Sequence, residues 1–418
     1  MEIEFCKKKK TKQSLPALFS ICVSLVVLLF SGTAVATQTA VVAMTSPDWT
    51  SGAHATVSVD PVGGPRTLQE NLAPSGSDIS VFSYGRYFYR IEGSFAHNIT
   101  KFDINDPETA VWQFSYEGTE TDTYAHDLVF VSDTKAYLLR NRSPKLWIVN
   151  PAAATEAEFK IGEIDLSAYA DDDGNPEMHS AVIVERGQET LLFVTLQRFN
   201  PNVWPVTYGT PWVAVFDVTD DTEVDTGQGD GTRLGMPLPL KNPGAIQYQA
   251  DDDTIYVHGI GNYTSEDSGI VAINPSTYDT EPTLDASAYS FGAVSGMAII
   301  SPTKGYLVGY AGWGDNTLYT FDPSDLNPAV TAVSGLENLT ISGIESGAYL
   351  DENNMLWVCT STLTSSSIVV LDTSDDSIDE TIATSLVPQK VVFTDGEAIS
   401  VYGGDDDSSC FIRSALGR

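Results

Sequence analysis

The chain has 418 residues, of which 42% are hydrophobic and 19% charged, a composition that excludes wholesale disorder and allows a sizeable core. Its 56 acidic residues outnumber the 22 basic ones, and the net charge of −34 argues against nucleic acid or anionic lipid as a partner. Aromatic residues at 10%, with 33 Gly and 21 Pro, favour many short strands joined by turns over long helices.

Residues 1–36 have the layout of a cleavable export signal. A basic segment at residues 7–12 precedes an apolar run at 15–32, and small residues at 34 and 36 form a cleavage site, so we expect the mature chain to begin at Thr37. An uncleaved anchor is the alternative, because the apolar run nearly spans a bilayer. We therefore expect an exported protein, periplasmic or extracellular, with no membrane insertion after cleavage and with a processed net charge of −37.

After residue 75 a unit of four short strands recurs seven times. Each unit begins with an apolar strand, continues through a tight polar turn to a second strand, and reaches a third strand that ends in Asp or Asn. The first strands are anchored at Ile79, Leu128, Ala181, Ala245, Met297, Ala348 and Val391. This pattern predicts an all-β, seven-bladed β-propeller with four-stranded antiparallel blades. Eight blades are less favoured, because the sequence shows no eighth first strand.

Both ends of the chain are expected to share the blade that closes the ring. Residues 37–76 supply N-terminal strands for closure, and residues 77–418 hold the repeats, with further strands predicted at 398–401 and 410–413. Together, the two ends contain more predicted strands than one blade needs. A closed ring is required because a single blade cannot bury both of its faces.

The third strand of each unit alternates apolar residues and then ends in Asp or Asn followed by Pro or Thr. With the segments 40–46 and 56–61, this pattern resembles the YVTN-type, YncE-like bacterial propellers over most of the processed chain, although the tetrapeptide that names the family is not present. The resemblance implies an exported propeller and leaves its activity open.

Positive charge is predicted to gather at one face of the propeller. The start of each first strand and the loop after each second strand share a face, around the mouth of the central channel. The candidate ligand-binding residues at these positions are Arg90, Arg140, Arg142, Arg198, His126, Asp127, His179 and Lys390. Because Arg binds carboxylate and phosphate in a bidentate way, an anionic small molecule is the expected ligand. The alternative is that the arginines pair with local acids such as Glu92.

Two tryptophans add candidates for stacking on a ligand. Trp204 lies in a long, Pro-rich loop of the third unit, at residues 195–212, and Trp313 lies between two glycines in a loop of the same face. Long rim loops often carry function, so the third-unit loop is the first place to look. Packing within the loops is the alternative for both rings.

Metal, catalytic and disulfide sites have weaker support. Acidic turns such as residues 171–175 make Ca²⁺ a candidate, but residue 176 is Pro where an EF-hand needs Gly, and solvated turns are the alternative. No cofactor is firmly predicted, and motifs for a nucleophile elbow, a zinc protease or a phosphate loop are missing from the sequence. Cys359 and Cys410 fall on neighbouring blades and are predicted to form a disulfide bond.

These features favour a binding module for an anionic small molecule or a protein partner at the channel mouth. A periplasmic lyase, lactonase or dehydrogenase that uses the mouth with a divalent metal is the alternative. A structural cell-surface protein is a further one, and a propeller fold by itself selects none of the three.

Overall fold

The computed structural model of the chain describes residues 38–93, 96–342 and 350–395. These residues form seven antiparallel sheets arranged as the blades of a propeller, so the predicted fold is confirmed. The export signal predicted at residues 1–36, the first-strand anchor predicted at Ala348 and the strands predicted at 398–401 and 410–413 lie outside the described residues. Within the described ranges, every helix is too short or too polar to cross a membrane.

Blades are numbered from Ile79, so blade 7 closes the ring. The first three strands of the chain belong to blade 7 and are β1 (Gln38–Thr45), β2 (Gly52–Ser58) and β3 (Leu68–Ser75). Blade 1 contains β4 (Ile79–Tyr84), β5 (Tyr87–Glu92), β6 (Asn98–Asp103) and β7 (Asp106–Ser115). Blade 2 contains β8 (Ala125–Ser132), β9 (Lys135–Arg140), β10 (Lys145–Val149) and β11 (Lys160–Asp165), with the short helix α1 (Glu156–Phe159) before β11.

Blade 3 is the most elaborate. Its strands in chain order are β12 (Met178–Arg186), β13 (Glu189–Leu196), β14 (Phe199–Asn200), β15 (Thr207–Tyr208), β16 (Trp212–Asp217), β17 (Thr222–Glu223) and β18 (Met236–Pro237). The sheet has the order β12-β13-β16-β17, with β18 also paired to β16, and β14 and β15 form a separate two-stranded hairpin.

The remaining blades are regular. Blade 4 contains β19 (Pro243–Gln249), β20 (Thr254–Gly259), β21 (Gly269–Ile273) and β22 (Thr280–Asp285). Blade 5 contains β23 (Ala293–Ser301), β24 (Lys304–Gly312), β25 (Asp315–Phe321) and β26 (Thr331–Ala332). Blade 6 contains β27 (Thr340–Ser342), β28 (Met355–Ser361), β29 (Ser366–Asp372) and β30 (Ser377–Thr384), and β31 (Val387–Asp395) returns to blade 7.

The middle strands of the blades carry the core because neighbouring blades cover both of their faces. In β13, residues 191–196 are all buried, and in β28 residues 355–360 are all buried. Such strands have nearly continuous apolar sequence and lose the alternation of a half-exposed strand. The outermost strands are different: β7 is mostly exposed along its length.

Blade 7 joins the two ends of the described chain. Its sheet has the order β3-β2-β1-β31, and β1 pairs antiparallel with β31, Val42 lying opposite Val391. The first strand predicted at Val391 therefore exists as β31. The second strand beside it is β1, from the N-terminal segment, in the place where the repeat pattern alone suggests residues 398–401. Residues 40–44 of β1 are completely buried, which gives the closure an apolar core.

Candidate functional site

A cavity of about 850 Å³ lies where the first strands of the blades begin. Blades 1, 2, 3, 6 and 7 contribute to its walls, so it occupies the channel-mouth face predicted from the sequence. The titratable side chains that line it are Asp78, Tyr124, His126, Asp127, His179 and Lys390.

His126 and His179 form a hydrogen-bonded pair in this cavity. They stand near the starts of β8 and β12, and their Nδ1 atoms are 3.0 Å apart with the rings 76° from coplanar. Burial lowers the pKa of His126 well below its usual value, and burial together with the charge of Lys390 lowers the pKa of His179 to about 4. The pair is therefore neutral at pH 7. One Nδ1 donates to the other, which leaves one Nε2 as an acceptor and the other as a donor.

Asp127 holds the two histidine-bearing strands together. Its Oδ1 accepts the backbone N–H of Leu128 at 2.9 Å, and its Oδ2 accepts the N–H of Ala181 at 2.9 Å and the hydroxyl of Ser180 at 3.3 Å. Burial raises the pKa of Asp127, while Lys390 and these hydrogen bonds act in the opposite direction. Because its oxygens cross from blade 2 to blade 3, Asp127 fixes the spacing of the pair.

Lys390, Asp78 and an aromatic rim complete the polar lining. The Nζ of Lys390, near the start of β31, is 3.7 Å from the ring centroid of Phe82. The hydroxyl of Tyr124 donates to Oδ2 of Asp78 at 2.5 Å. Trp49, in the turn between β1 and β2, also lines the cavity and is 52% exposed. The cavity thus combines a cation, a neutral imidazole pair, the Asp127 carboxyl group, a carboxylate–phenol pair and an exposed indole.

The four candidate arginines do not line this cavity. Three of them form ion pairs with nearby acids: Arg90 with Glu92 at 2.7 Å, Arg140 with Glu120 at 2.7 Å and Arg142 with Asp122 at 2.8 Å. Arg198 donates from Nη1 to the carbonyl oxygen of Thr210 at 3.0 Å. These first three arginines therefore pair with local acids, which is the alternative that the sequence left open. Of the basic candidates with a permanent charge, Lys390 is the one that the structure places at the cavity.

The predicted tryptophans also lie away from the cavity walls. Trp204, in the turn between β14 and β15, is 92% exposed, and Trp313 is 75% exposed. Trp49 was not among the sequence candidates. It becomes one only when β1 is assigned as the second strand of blade 7, because residues 46–51 then form a loop of the channel-mouth face.

Two other sequence candidates lie elsewhere. Cys359 is buried in the core of blade 6, where burial raises the pKa of its thiol, whereas Cys410 lies outside the described residues, so their disulfide remains a prediction. The acidic turn at residues 171–175 lies beside a third carboxyl group, that of Glu177, which does not stand out in the sequence. Glu177 is buried beside Asp171 and Asp173, and burial with these two carboxylates raises its pKa to about 9.

The buried histidines predict acid lability. Burial lowers the pKa of His54 and His179 to about 4 and that of His258 to about 3, and Gly244 leaves the room that the His258 ring occupies. Since unfolded His takes up a proton near pH 6.5, the unfolded state binds more protons below that pH, and the free energy of unfolding falls as pH drops toward 4. We expect a loss of roughly 3 kcal/mol for each such residue.

Urea denaturation at pH 7 and pH 4.5 measures this effect. A His258→Gln variant should lose about 2.5 kcal/mol less than the wild type between the two pH values, because Gln does not titrate. The measurement therefore compares the two proteins, because carboxyl groups with raised pKa values, such as Glu177, gain stability over the same pH range. A His258→Gln variant that loses as much stability as the wild type would contradict the assignment of a neutral buried His258.

Comparisons with known proteins identify the fold. No family model and no curated protein matches the chain. A candidate 6-phosphogluconolactonase from Bacteroides uniformis matches with a TM-score of 0.55 at 13% identity, over 86% of this chain and 100% of that one. A second candidate 6-phosphogluconolactonase, from Bacteroides fragilis, gives 0.53 at 12% identity, over 86% and 98% of the two chains. A functionally unknown protein from Desulfotomaculum acetoxidans gives 0.52 at 12% identity, over 86% and 99%. These matches show the fold alone.

Proposed function

We propose that the protein is an exported binding module that takes a small, hydroxylated organic anion into the cavity at the propeller mouth. One observation carries the proposal: Lys390 and the neutral His126–His179 pair line the same 850 Å³ cavity. Lys390 supplies the charge that attracts a carboxylate or phosphate. The imidazole pair offers one donor and one acceptor, a combination that suits hydroxyl groups. Trp49 offers an aromatic face on which a ring can stack.

Because the whole protein is strongly negative, the binding of an anion depends on the charges inside the cavity. The processed chain carries a net charge of −37, so its long-range field repels an anion and does not speed its approach. Affinity must then come from Lys390 inside the cavity, where electrostatic interactions are stronger than at the exposed surface. We expect slow association and a preference for small anions over large acidic partners.

The sequence supports export and a place among the YVTN-type, YncE-like propellers. Residues 1–36 have the basic, apolar and small-residue segments of a secretion signal, and the third strands of the repeats follow the family's pattern. This proposal puts the cavity in the periplasm or outside the cell, where it would meet small molecules directly.

A hydrolase acting on lactones is the second candidate for the same cavity. Two of the matched structures are candidate 6-phosphogluconolactonases. The specific observation in this chain is the unprotonated imidazole nitrogen of the His126–His179 pair, which at pH 7 can accept a proton from a water molecule that attacks an ester carbonyl.

A thermal-melt panel of sugar acids, hydroxy acids and sugar phosphates tests the binding proposal. A ligand present at 100 times its Kd should stabilise the wild type by about 2.7 kcal/mol. Lys390→Met should bind the same anion at least ten-fold more weakly, because the cavity loses its permanent positive charge. Lys241→Met removes a lysine paired with Asp267 in blade 4 and is the matched control.

The outcomes separate the two candidates. An anion shift that is lost in Lys390→Met and kept in Lys241→Met supports the binding module. Opening of a sugar δ-lactone above the spontaneous rate, abolished by His126→Gln, would favour the hydrolase. The binding proposal fails if no anion shifts the wild type, or if Lys390→Met responds as the wild type does.

A further inference from the structure

Three carboxylates that do not line the channel-mouth cavity meet in the loop that leads into blade 3. One carboxylate oxygen from each of Asp171, Asp173 and Glu177 lies within 4.8 Å of the others. Glu177 is only 2% exposed, and its Oε2 is buried without a hydrogen-bond partner. We propose that this acidic triad is a Ca²⁺-binding site, which neither the proposed anion binding nor the comparisons assign.

The unpartnered oxygen of Glu177 is the observation that points to a ligand. A buried polar atom without a partner is costly, and native structures normally supply one. The other two members are already partly satisfied by the loop itself. Asp171 accepts the N–H of Asp173 at 3.0 Å through Oδ1, and Asp173 accepts the N–H of Asn175 at 2.9 Å through Oδ1. A cation would satisfy Oε2 of Glu177 and draw on the remaining carboxylate oxygens.

The ligand chemistry favours Ca²⁺. All three donors are carboxylate oxygens, which hard divalent cations prefer, and the triad contains no nitrogen or sulfur ligand for a transition metal. Even at the limit of 4.8 Å between oxygens, all three lie about 2.8 Å from a common centre. An inward shift of a few tenths of an ångström would bring them to the roughly 2.3–2.6 Å that Ca²⁺ requires. Mg²⁺ usually keeps several waters and binds through one or two carboxylates, so a site with three carboxylates suits Ca²⁺ better.

The positive charge of Arg198 leaves the triad available for a cation. Arg198 is close enough to influence Asp171 and Glu177 electrostatically. Its hydrogen bonds, however, go to backbone carbonyl oxygens: Nη1 donates to Thr210 at 3.0 Å and Nη2 to Ala170 at 3.5 Å. The guanidinium therefore lowers the local negative charge without providing the missing partner of Glu177.

The site would anchor the long loop of blade 3. Asn202, between β14 and β15, donates from Nδ2 to Oδ2 of Asp173 at 3.2 Å, so the hairpin touches the triad directly. A bound cation would tie the hairpin to the start of blade 3. We therefore expect Ca²⁺ to protect residues 199–208 from limited proteolysis as well as to raise the melting temperature.

Calorimetric titration of the EDTA-stripped processed chain with Ca²⁺ tests the site. We expect one equivalent to bind, with Mg²⁺ at least ten-fold weaker. Glu177→Gln and Asp173→Asn should each weaken Ca²⁺ binding at least ten-fold. Asp172→Asn removes the same charge from an exposed side chain of the same loop and should bind like the wild type.

The controls keep the result independent of folding and of the proposed anion site. Asp173 is only half-buried, so Asp173→Asn tests the site even if Glu177→Gln fails to fold. Lys390→Met should bind Ca²⁺ normally, because it changes a different part of the molecule. The inference is overturned if the wild type binds no Ca²⁺, or if Asp173→Asn and Asp172→Asn bind it equally well.

Discussion

A chain that begins at Ile79 is expected to show no cooperative unfolding transition. Such a chain lacks β1, which lies between β31 and β2 in blade 7 and whose residues 40–44 are completely buried. Burial of one Val or Met side chain stabilises a fold by about 1.5–3 kcal/mol. Losing several of them, with the backbone pairing of β31, removes an amount comparable to the whole stability of a typical domain, about 5–15 kcal/mol.

Urea titration followed by circular dichroism compares this truncated chain with the chain that begins at Thr37. The longer chain keeps every described strand and should unfold in one sharp transition. A truncated chain that unfolds just as sharply, at the same urea concentration, would show that the ring does not need its N-terminal strands.

Arg66→Ala is expected to destabilise the propeller by about 3–5 kcal/mol, the range for breaking a buried ion pair. The Arg66 side chain is fully buried between blades 7 and 6, and Nη1 lies 2.7 Å from Asp379 and 3.0 Å from Glu380. Its Nε donates to the carbonyl oxygen of Val59 at 2.9 Å, and its guanidinium lies 5.5 Å from the ring centroid of Trp357. The substitution would leave two mostly buried carboxylates without their cation at the seam that closes the ring.

Equilibrium denaturation at pH 7 measures the loss. Lys241→Ala is the control. Lys241 also forms an ion pair with an aspartate, Asp267, but both side chains of that pair are about 40% exposed. Exposed pairs contribute about 0–1 kcal/mol. If Arg66→Ala and Lys241→Ala cost the same, the ion pair at the seam does not stabilise the closure.

The propeller could be predicted because its strands produce a clear pattern in the sequence. Strands covered on both faces, such as β13 and β28, require continuous apolar runs, and polar turns separate those runs at regular intervals. The pairing in blade 7 could not be predicted in the same way. Residues 38–45 and 398–401 are both short and apolar, and only the closed ring shows that β1 is the strand beside β31.

The sequence predicts the positions of some channel-mouth residues better than those of others. His126, Asp127 and His179 are set on the cavity wall by the backbone at the starts of β8 and β12, so topology predicts their place. Long side chains at second-strand ends are not fixed in this way. Arg90 turns toward Glu92, two residues along the same strand, and also contacts Nδ1 of His54 at 3.1 Å.

The contacts between blades could not be predicted from the sequence, because they join residues far apart in the chain. The acidic triad could not be predicted because it is distinguished by the burial of Glu177. Lys135 reaches Asp221 in the next blade at 2.8 Å, and Tyr137 donates to the same carboxylate. The same arrangement links blades 5 and 6 through Lys304, Tyr306 and Asp376. The sequence shows these as separate charges. It likewise shows Glu177 as one acid among many, and only its burial beside Asp173 distinguishes it.

A crystal structure of the protein with the strongest anion from the melt panel would show whether the anion binds in the channel-mouth cavity. We expect density for the anion in the 850 Å³ cavity, with its charged group at Nζ of Lys390 and its hydroxyl groups at the His126–His179 pair. Density for the anion at Arg140, Arg142 or Arg198, with the cavity holding only solvent, would contradict it.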